Sequence, residues 1–272
     1  MSKLIIEAGR ADRHYWLDLW RYRELFYFLA WRDFLVRYKQ TVVGVLWSLL
    51  KPLLTMVVLT IVFGRFGKMP SGGVPYPLLV LCGMLPWQFF SNALSESGGS
   101  LVNNSNLISK VYFPRLIVPA SSIITSLVDF AISGCILAAL LFWYGVTPPV
   151  QVLFLPLFIL LGLGAAFGAG VWIAALMVEY RDFRAIVPFI IQFGLYISPV
   201  GFPSNIVPEN FHLLYSLNPM VGVIDGFRWC VLGGDHVVNW PDLAISAIIV
   251  VSLVTSGIWY FRKTEKTFSD VI

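Results

Sequence analysis

The sequence predicts an all-α integral membrane protein with six transmembrane helices, an interfacial helix ahead of the first and a re-entrant helical hairpin ahead of the last. Three observations carry that prediction. Of the 272 residues, 58% are hydrophobic and only 12% charged, where a soluble domain carries about a quarter charged. The apolar residues gather into stretches long enough to cross a bilayer core of about 30 Å. Of the 19 Lys and Arg, 15 fall on segments that this map places inside, three (Arg65, Lys68, Arg228) outside, and Lys51 within a span. That asymmetry sets both termini on the cytoplasmic side.

The same composition excludes several function classes. A net charge of +4 is no nucleic-acid footprint when the basic residues cluster at one membrane side. Cys82 and Cys135 lie inside apolar runs and Cys230 stands alone, while His14, His212 and His236 are scattered. Neither a disulfide framework nor a metal spacing results, so no metal site and no cofactor is expected in this chain. Residues 1 to 14 are polar, so no cleavable signal is expected there, and the first span serves as its own membrane address.

Residues 1–41 form the cytoplasmic and interfacial segment. From Tyr15 to Leu29 a helical wheel puts Trp16, Leu19, Trp20, Tyr22, Phe26 and Tyr27 on one side and Asp18, Arg21 and Glu24 on the other. Indole and phenol rings favour the headgroup layer, so this reads as a helix lying on the membrane. A charged block follows, Trp31-Arg32-Asp33-Phe34-Leu35-Val36-Arg37-Tyr38-Lys39-Gln40-Thr41. It is a topology signal or a docking surface, and composition does not separate the two.

Residues 42–262 form the transmembrane domain. The first span, Val42 to Phe63, rises about 33 Å. Gly64-Arg65-Phe66-Gly67-Lys68 superficially resembles a phosphate loop, but two residues stand between its glycines where four are needed, and Met69 replaces the magnesium-binding hydroxyl. The chain therefore carries no ATP site of its own. The second span, Pro77 to Leu94, continues as a polar helical extension on which Asn92, Glu96 and Ser100 share a face. That face meets water or protein, or is simply a polar helix end.

The third span, Leu116 to Tyr144, aligns Ser122, Ser126, Asp129 and Ser133. Asp129 lies about 20 Å in, where an acid facing lipid costs a few kcal/mol. It is expected to face protein, with Lys51 as a counter-charge, or else Asp129 bonds to the serines while Lys51 snorkels to the headgroups. Lys51, Glu96 and Asp129 are the buried-charge candidates. The fourth span, Val152 to Val178, carries Gly164 and Gly168 in GxxxG spacing, which lets helices approach closely, most simply within the chain.

The fifth span, Ala185 to Val200, is short and holds Pro188 and Pro199. Residues 201–239 mix apolar side chains with Pro203, Pro208 and Pro219, and read as a hairpin dipping into the outer leaflet. The sixth span, Pro241 to Phe261, leads into a cytoplasmic tail, residues 263–272. Glu179 and Asp182 are the one acidic pair at a membrane face of the kind a membrane-embedded transferase would need.

Five stretches in order resemble the permease subunits of type-2 ABC transporters that export bacterial polysaccharides. They are Trp31-Arg32-Asp33 with Arg37 to Thr41, Gly83-Met84-Leu85-Pro86-Trp87-Gln88-Phe89-Phe90, Lys110 to Arg115, Tyr196-Ile197-Ser198-Pro199, and Leu217-Asn218-Pro219 with Gly226-Phe227-Arg228-Trp229. Each is weak alone, and the likeness covers residues 30 to 234. Within the class it is nearest the O-antigen exporters, with capsule and teichoic-acid exporters as neighbours. Lys51, before Pro52, departs from the family's usual uncharged residue.

The resemblance implies an inner-membrane permease, not an enzyme, which pairs with a second copy of itself and with two copies of an ATPase subunit that binds ATP and Mg. It makes Arg32, Asp33, Arg37, Tyr38 and Lys39 a cytoplasmic coupling helix and the hairpin a periplasmic gate. The substrate it implies is a lipid-linked glycan, passed between the two copies among membrane lipids. Sugars have flat CH faces, so Trp87, Phe89, Phe90, Phe193 and Tyr196 are the channel-lining candidates, although aromatics in spans more often pack or anchor. A type-2 exporter of a drug, haem or simple lipid is the alternative within the class, and a transferase the remote one.

Overall fold

A computed structural model describes residues 15–39, 42–180, 182–234 and 238–268. Gln40, Thr41, Arg181, His236 and the two termini, on which several expectations bear, lie outside them. The described residues are helical, with no strand among them. Among the described residues five helical stretches are long and apolar enough to cross a membrane: Leu49–Phe66, Tyr76–Asn103, Ile117–Trp143, Val150–Glu179 and Trp240–Thr267.

The helix at the expected fifth span, Ala185 to Val200, is shorter than these five. α8, Phe183–Ile197, has 15 residues, about 22 Å of helix against a core of about 30 Å. It stops because Pro199 disfavours helical backbone at the residue before it, and Ser198 turns extended with φ −78 and ψ 152.

At the start of the chain, α1 (Tyr15–Arg21) and α2 (Arg23–Tyr38) are separated at Tyr22. α2 runs unbroken through the boundary expected near residue 30, where Leu29 and Ala30 are both buried. Two sides of this pair are used. Leu19, Tyr22, Leu25 and Phe26 pack on a core cluster with Ile108, Phe113, Phe261 and Phe268, while Trp16, Trp20 and Tyr27 stay exposed. Leu25 thus turns inward because the protein, rather than the membrane, covers that face. Tyr15 is buried there under the Arg262 guanidinium, 4.7 Å from the ring, and burial pushes its phenol well above the usual tyrosine range.

α3 (Val42–Leu59) passes into a π-helical turn, Thr60–Phe66. That turn rests Phe63 against Phe202, 6.2 Å between centroids. Gly64, the first glycine of the phosphate-loop lookalike, abuts the Tyr76 ring, which a Cβ would meet at 2.8 Å.

α4 (Tyr76–Asn103) is the central helix, and it packs against α3, α6 (Ile117–Trp143), α7 (Leu155–Glu179), α8 and α10 (Pro219–Leu232). Leu78, Leu81, Met84 and Leu85 from α4 meet Phe158, Val223 and Phe227 in the main core. The expected polar extension is continuous helix to Asn103, followed by the short α5, Ser105–Lys110. α11 (Trp240–Thr264) closes the bundle on α7 and α10. The GxxxG glycines serve this closure within the chain. A Cβ on Gly168 would lie 2.7 Å from the Val254 backbone nitrogen, and one on Gly164 2.8 Å from a Val250 methyl.

Within residues 201–234 two helices follow one another, α9 (Glu209–Ser216) and α10. Asn218 lies between them: its side-chain oxygen accepts from Met220 N at 3.0 Å, capping α10, while its amide donates to Ser198 Oγ at 2.9 Å.

Candidate functional site: a polar cavity beside the end of the second helix

The last turn of α2 brings charge to the membrane helices. Arg37 Nη2 lies 2.6 Å from Asp129 Oδ2 on α6 and Nη1 lies 3.1 Å from Glu96 Oε1 on α4. Tyr38 donates a very short hydrogen bond to Asp129. One turn earlier, Arg32 pairs with Asp33 at 2.7 Å and donates to Asn104 Oδ1 at 2.8 Å, at the end of α4. Of the five residues implied to receive the ATPase, Arg32, Arg37 and Tyr38 fasten α2 to the bundle, Asp33 pairs with Arg32 on the same helix, and Lys39 is exposed.

Asp129 is 13% exposed, and its counter-charge is Arg37 rather than Lys51. Glu96 and Lys51 are not buried in the chain. The helical stripe explains how the pair forms: Asp129 follows Ser122 and Ser126 along the α6 face that α2 packs on. Nothing local in the sequence of α2 points Arg37 at it.

Beside this cluster lies a cavity of 420 Å³, walled by α2, α3, α4, α6 and α8. Arg37, Lys51, Gln88, Asn92, Asp129 and Gln192 supply its polar wall, and Trp87, Phe89 and Phe130 its aromatic wall. Ser126, wholly buried, reaches the wall with its hydroxyl unpartnered.

The five aromatic candidates separate into two groups. Trp87 and Phe89 are buried, 5% and 3% exposed: Trp87 sits on Gly194, where a Cβ would meet its ring at 2.5 Å, and Phe89 on Phe130 at 5.5 Å. Phe90 is partly buried, 5.6 Å from Trp87. Phe193 and Tyr196 are exposed on α8, beyond the surface this chain covers by itself.

At the other end stands Arg228, a residue that the charge map had counted as an outside cation. It is 1% exposed. Its guanidinium donates to the carbonyls of Val200 (2.9 Å), Phe202 (3.0 Å) and Leu79 (3.3 Å), and Tyr76 donates to the Gly201 carbonyl at 2.6 Å. Three successive carbonyls of the non-helical stretch after α8 are thus satisfied by side chains, as backbone away from water requires. The signal for Arg228 was a charge, three residues after Asp225, inside the otherwise apolar run Val221 to Leu232, and the two side chains lie 3.9 Å apart.

Of the acidic pair a transferase would need, Glu179 has a partner on α11. Glu179 accepts from the Tyr260 hydroxyl at 2.9 Å, and Tyr260 stacks on Trp172 at 4.3 Å. Among the described residues no cluster of His, Cys, Asp and Glu has metal-binding geometry.

Comparison with known proteins agrees with this architecture. The chain is 28% identical over 242 residues to the O-antigen export system permease protein RfbA of Klebsiella pneumoniae, covering 89% of this chain and 92% of that one. It is 28% identical to the protein of the same name from Myxococcus xanthus, covering 91% and 96%. The polysialic acid transport protein KpsM of Escherichia coli is 22% identical over 86% of this chain and 91% of its own. The model of the family described as ABC-2 type transporter matches residues 24–232, from the first turn of α2 to the last residue of α10, so the five stretches singled out in the sequence lie within it and the chain belongs to that family.

Proposed function

We propose that this chain is the membrane subunit of an ABC transporter that exports a lipid-linked polysaccharide, of the O-antigen kind, across the bacterial inner membrane. Two copies form the channel, and a separate ATPase, binding ATP and Mg, drives it from the cytoplasm. The observation that carries the reading is likeness to polysaccharide export permeases along nearly the whole length of both chains. The capsule-type variant of the same reading draws on the weaker likeness to the polysialic acid transporter.

In this reading α8 completes a sixth crossing with the non-helical residues beyond it, both termini are cytoplasmic, and residues 201–239 form the outer gate. The exposed apolar face of α8, with Phe193 and Tyr196, meets the second copy or the passing glycan. The exposed side of α2 and the short α5 form the inner surface that the ATPase touches, and the bonds from Arg32 and Arg37 to Asn104, Glu96 and Asp129 carry its displacement to α4 and α6. Rigid helices joined by charge-assisted bonds transmit a push better than apolar contacts that slide.

The test is reconstitution. Vesicles holding both subunits should move lipid-linked O-antigen glycan in an ATP-dependent way, and the permease alone should neither hydrolyse ATP nor move glycan. Translocation by the permease without its ATPase, or export of only unglycosylated lipid by the complex, would overturn the reading.

A further inference from the structure

The start of α1, the start of α6 and the end of α11 meet in one buried cluster. After α11, residues Glu265–Thr267 make a short 3-10 turn and set Phe268, 1% exposed, edge-on to Phe261 at 5.3 Å. Glu265 reaches across to α6. Its carboxylate accepts from the Arg115 backbone N–H at 2.8 Å, and its carbonyl accepts a very short bond from the Arg115 guanidinium. That guanidinium also lies 5.9 Å from the Phe268 ring. α6 has no capping side chain of its own, so an acid 150 positions later in the chain supplies an acceptor just ahead of its first turn.

The same turn holds α1. Arg262, one turn back on α11, covers the Tyr15 ring at 4.7 Å, and the Glu265 charge adds to burial in keeping the proton on the Tyr15 hydroxyl. Leu19, Tyr22 and Leu25 pack on the cluster that Tyr15, Phe113, Phe261 and Phe268 form. Tyr15 and the tail lie outside residues 24–232, so the family match does not supply this junction.

α1 and α2 are thereby held at both ends. At the far end Arg37 binds Asp129 and Glu96, and at the near end the tail pins Tyr15. Between these points the helix pair breaks at Tyr22, with φ −88 and ψ 19, and Phe28 and Trp31 stay exposed. A beam fixed at one end swings when it is pushed. Fixed at two, it passes the load to the elements that hold it.

We propose that residues 265–268 are a strap that fixes α1 to the start of α6, with Glu265 as its positioning residue, so that a push on α2 moves the membrane helices instead of swinging α1 free. The proposal rests on the export reading only for the ATPase that supplies the push.

The experiment is hydrogen–deuterium exchange of the permease–ATPase complex in detergent micelles, beside its ATP turnover, for wild type, Glu265→Gln, Glu265→Ala and Phe268→Ala. Glu265→Ala and Phe268→Ala should each raise exchange in α1 about tenfold while α4 and α7 keep their wild-type protection. Glu265→Gln retains an oxygen that can accept from the Arg115 N–H, so its α1 should stay within about threefold of wild type. In the two alanine variants permease-stimulated ATP turnover should lose at least about threefold in kcat with the KM for ATP unchanged, because the nucleotide site belongs to the other subunit.

Exchange of α1 at the wild-type rate in Glu265→Ala would overturn the strap. So would an α1 that exchanges faster while kcat holds, since a freed α1 would then have no part in coupling. If Phe268→Ala loosens α4 and α7 as well, Glu265→Ala and its recovery in Glu265→Gln decide the matter. The exchange readout needs no glycan: a complex whose α1 is strapped in this way yet exports none would remove the export reading alone.

Discussion

Arg37, in the last turn of α2, holds its guanidinium 2.6 Å from Asp129 of α6 and 3.1 Å from Glu96 of α4. One side chain thereby ties a helix that does not cross the membrane to two that do. Arg fits this place because its planar fork offers separate N–H groups to two carboxylates, which a lysine ammonium cannot do in the same geometry. A displacement of α2 must therefore move α4 and α6 or break the pair.

Breaking that pair should cost stability and coupling together. Asp129 is mostly covered, so Arg37→Gln leaves an uncompensated carboxylate and should destabilise the permease by about 2 kcal/mol, below the 3–5 of a fully buried pair. The double variant Arg37→Gln with Asp129→Asn should recover part of that loss. Thermal unfolding in detergent measures the stability, and ATPase stimulation in the complex measures the coupling. Additive stability losses would deny the interaction.

Arg228 should tolerate nothing else. Its three carbonyl acceptors lie in three directions, so Arg228→Lys, which keeps the charge, should still lose at least two of the bonds and lower the folded yield several-fold. Arg228→Ala should do worse, leaving buried carbonyls unsatisfied at about 1–3 kcal/mol each. Detergent-extracted, monodisperse protein per cell is the measurement, and an Arg228→Lys variant at the wild-type level would contradict the bonding described.

The glycines predict opposite outcomes for one chemical change. Gly168→Ala pushes a methyl to 2.7 Å from backbone that cannot rotate away and should cost about 1–3 kcal/mol. Gly134→Ala, on α6 with nothing within 4 Å of the new Cβ, should be neutral or stabilising by up to about 1 kcal/mol through helix propensity. Unfolding temperatures of the two variants side by side decide it.

The aromatic candidates should divide by phenotype. Phe89→Ala opens a hole in the packing against Phe130 and should destabilise by about 3 kcal/mol, whatever its effect on export. Tyr196→Ala, at an exposed site, should leave stability within about 0.5 kcal/mol and slow export if its ring faces the glycan. Export assayed at matched protein levels, with unfolding measured in parallel, separates them; normal export by Tyr196→Ala would remove it from the channel wall.

How much of this was legible beforehand follows from the range of the forces involved. Runs of apolar residues, the flanking positive charge, the polar continuation of α4, the stop at Pro199 and the GxxxG contact are each written within one or two turns of chain, and the sequence determined them. The length of α8 was nearly legible too: the fifth span was read as short, Ala185 to Val200 with Pro199 near its end, and the helix runs 15 residues, Phe183–Ile197.

The partners of the charges were decided only by the tertiary structure. Arg37 meets Asp129 across 92 positions of sequence, and Arg228 meets Leu79 across 149. Sequence could say that a charge within an apolar helix requires a partner, because desolvation enforces it wherever the helix goes. Which partner it finds depends on how the helices pack, and that is the sum of contacts from α4, α7, α10 and α11 at once. For this reason Asp129, left between Lys51 and the serines by the sequence, is paired with Arg37, and Arg228, counted among the outside cations, is 1% exposed.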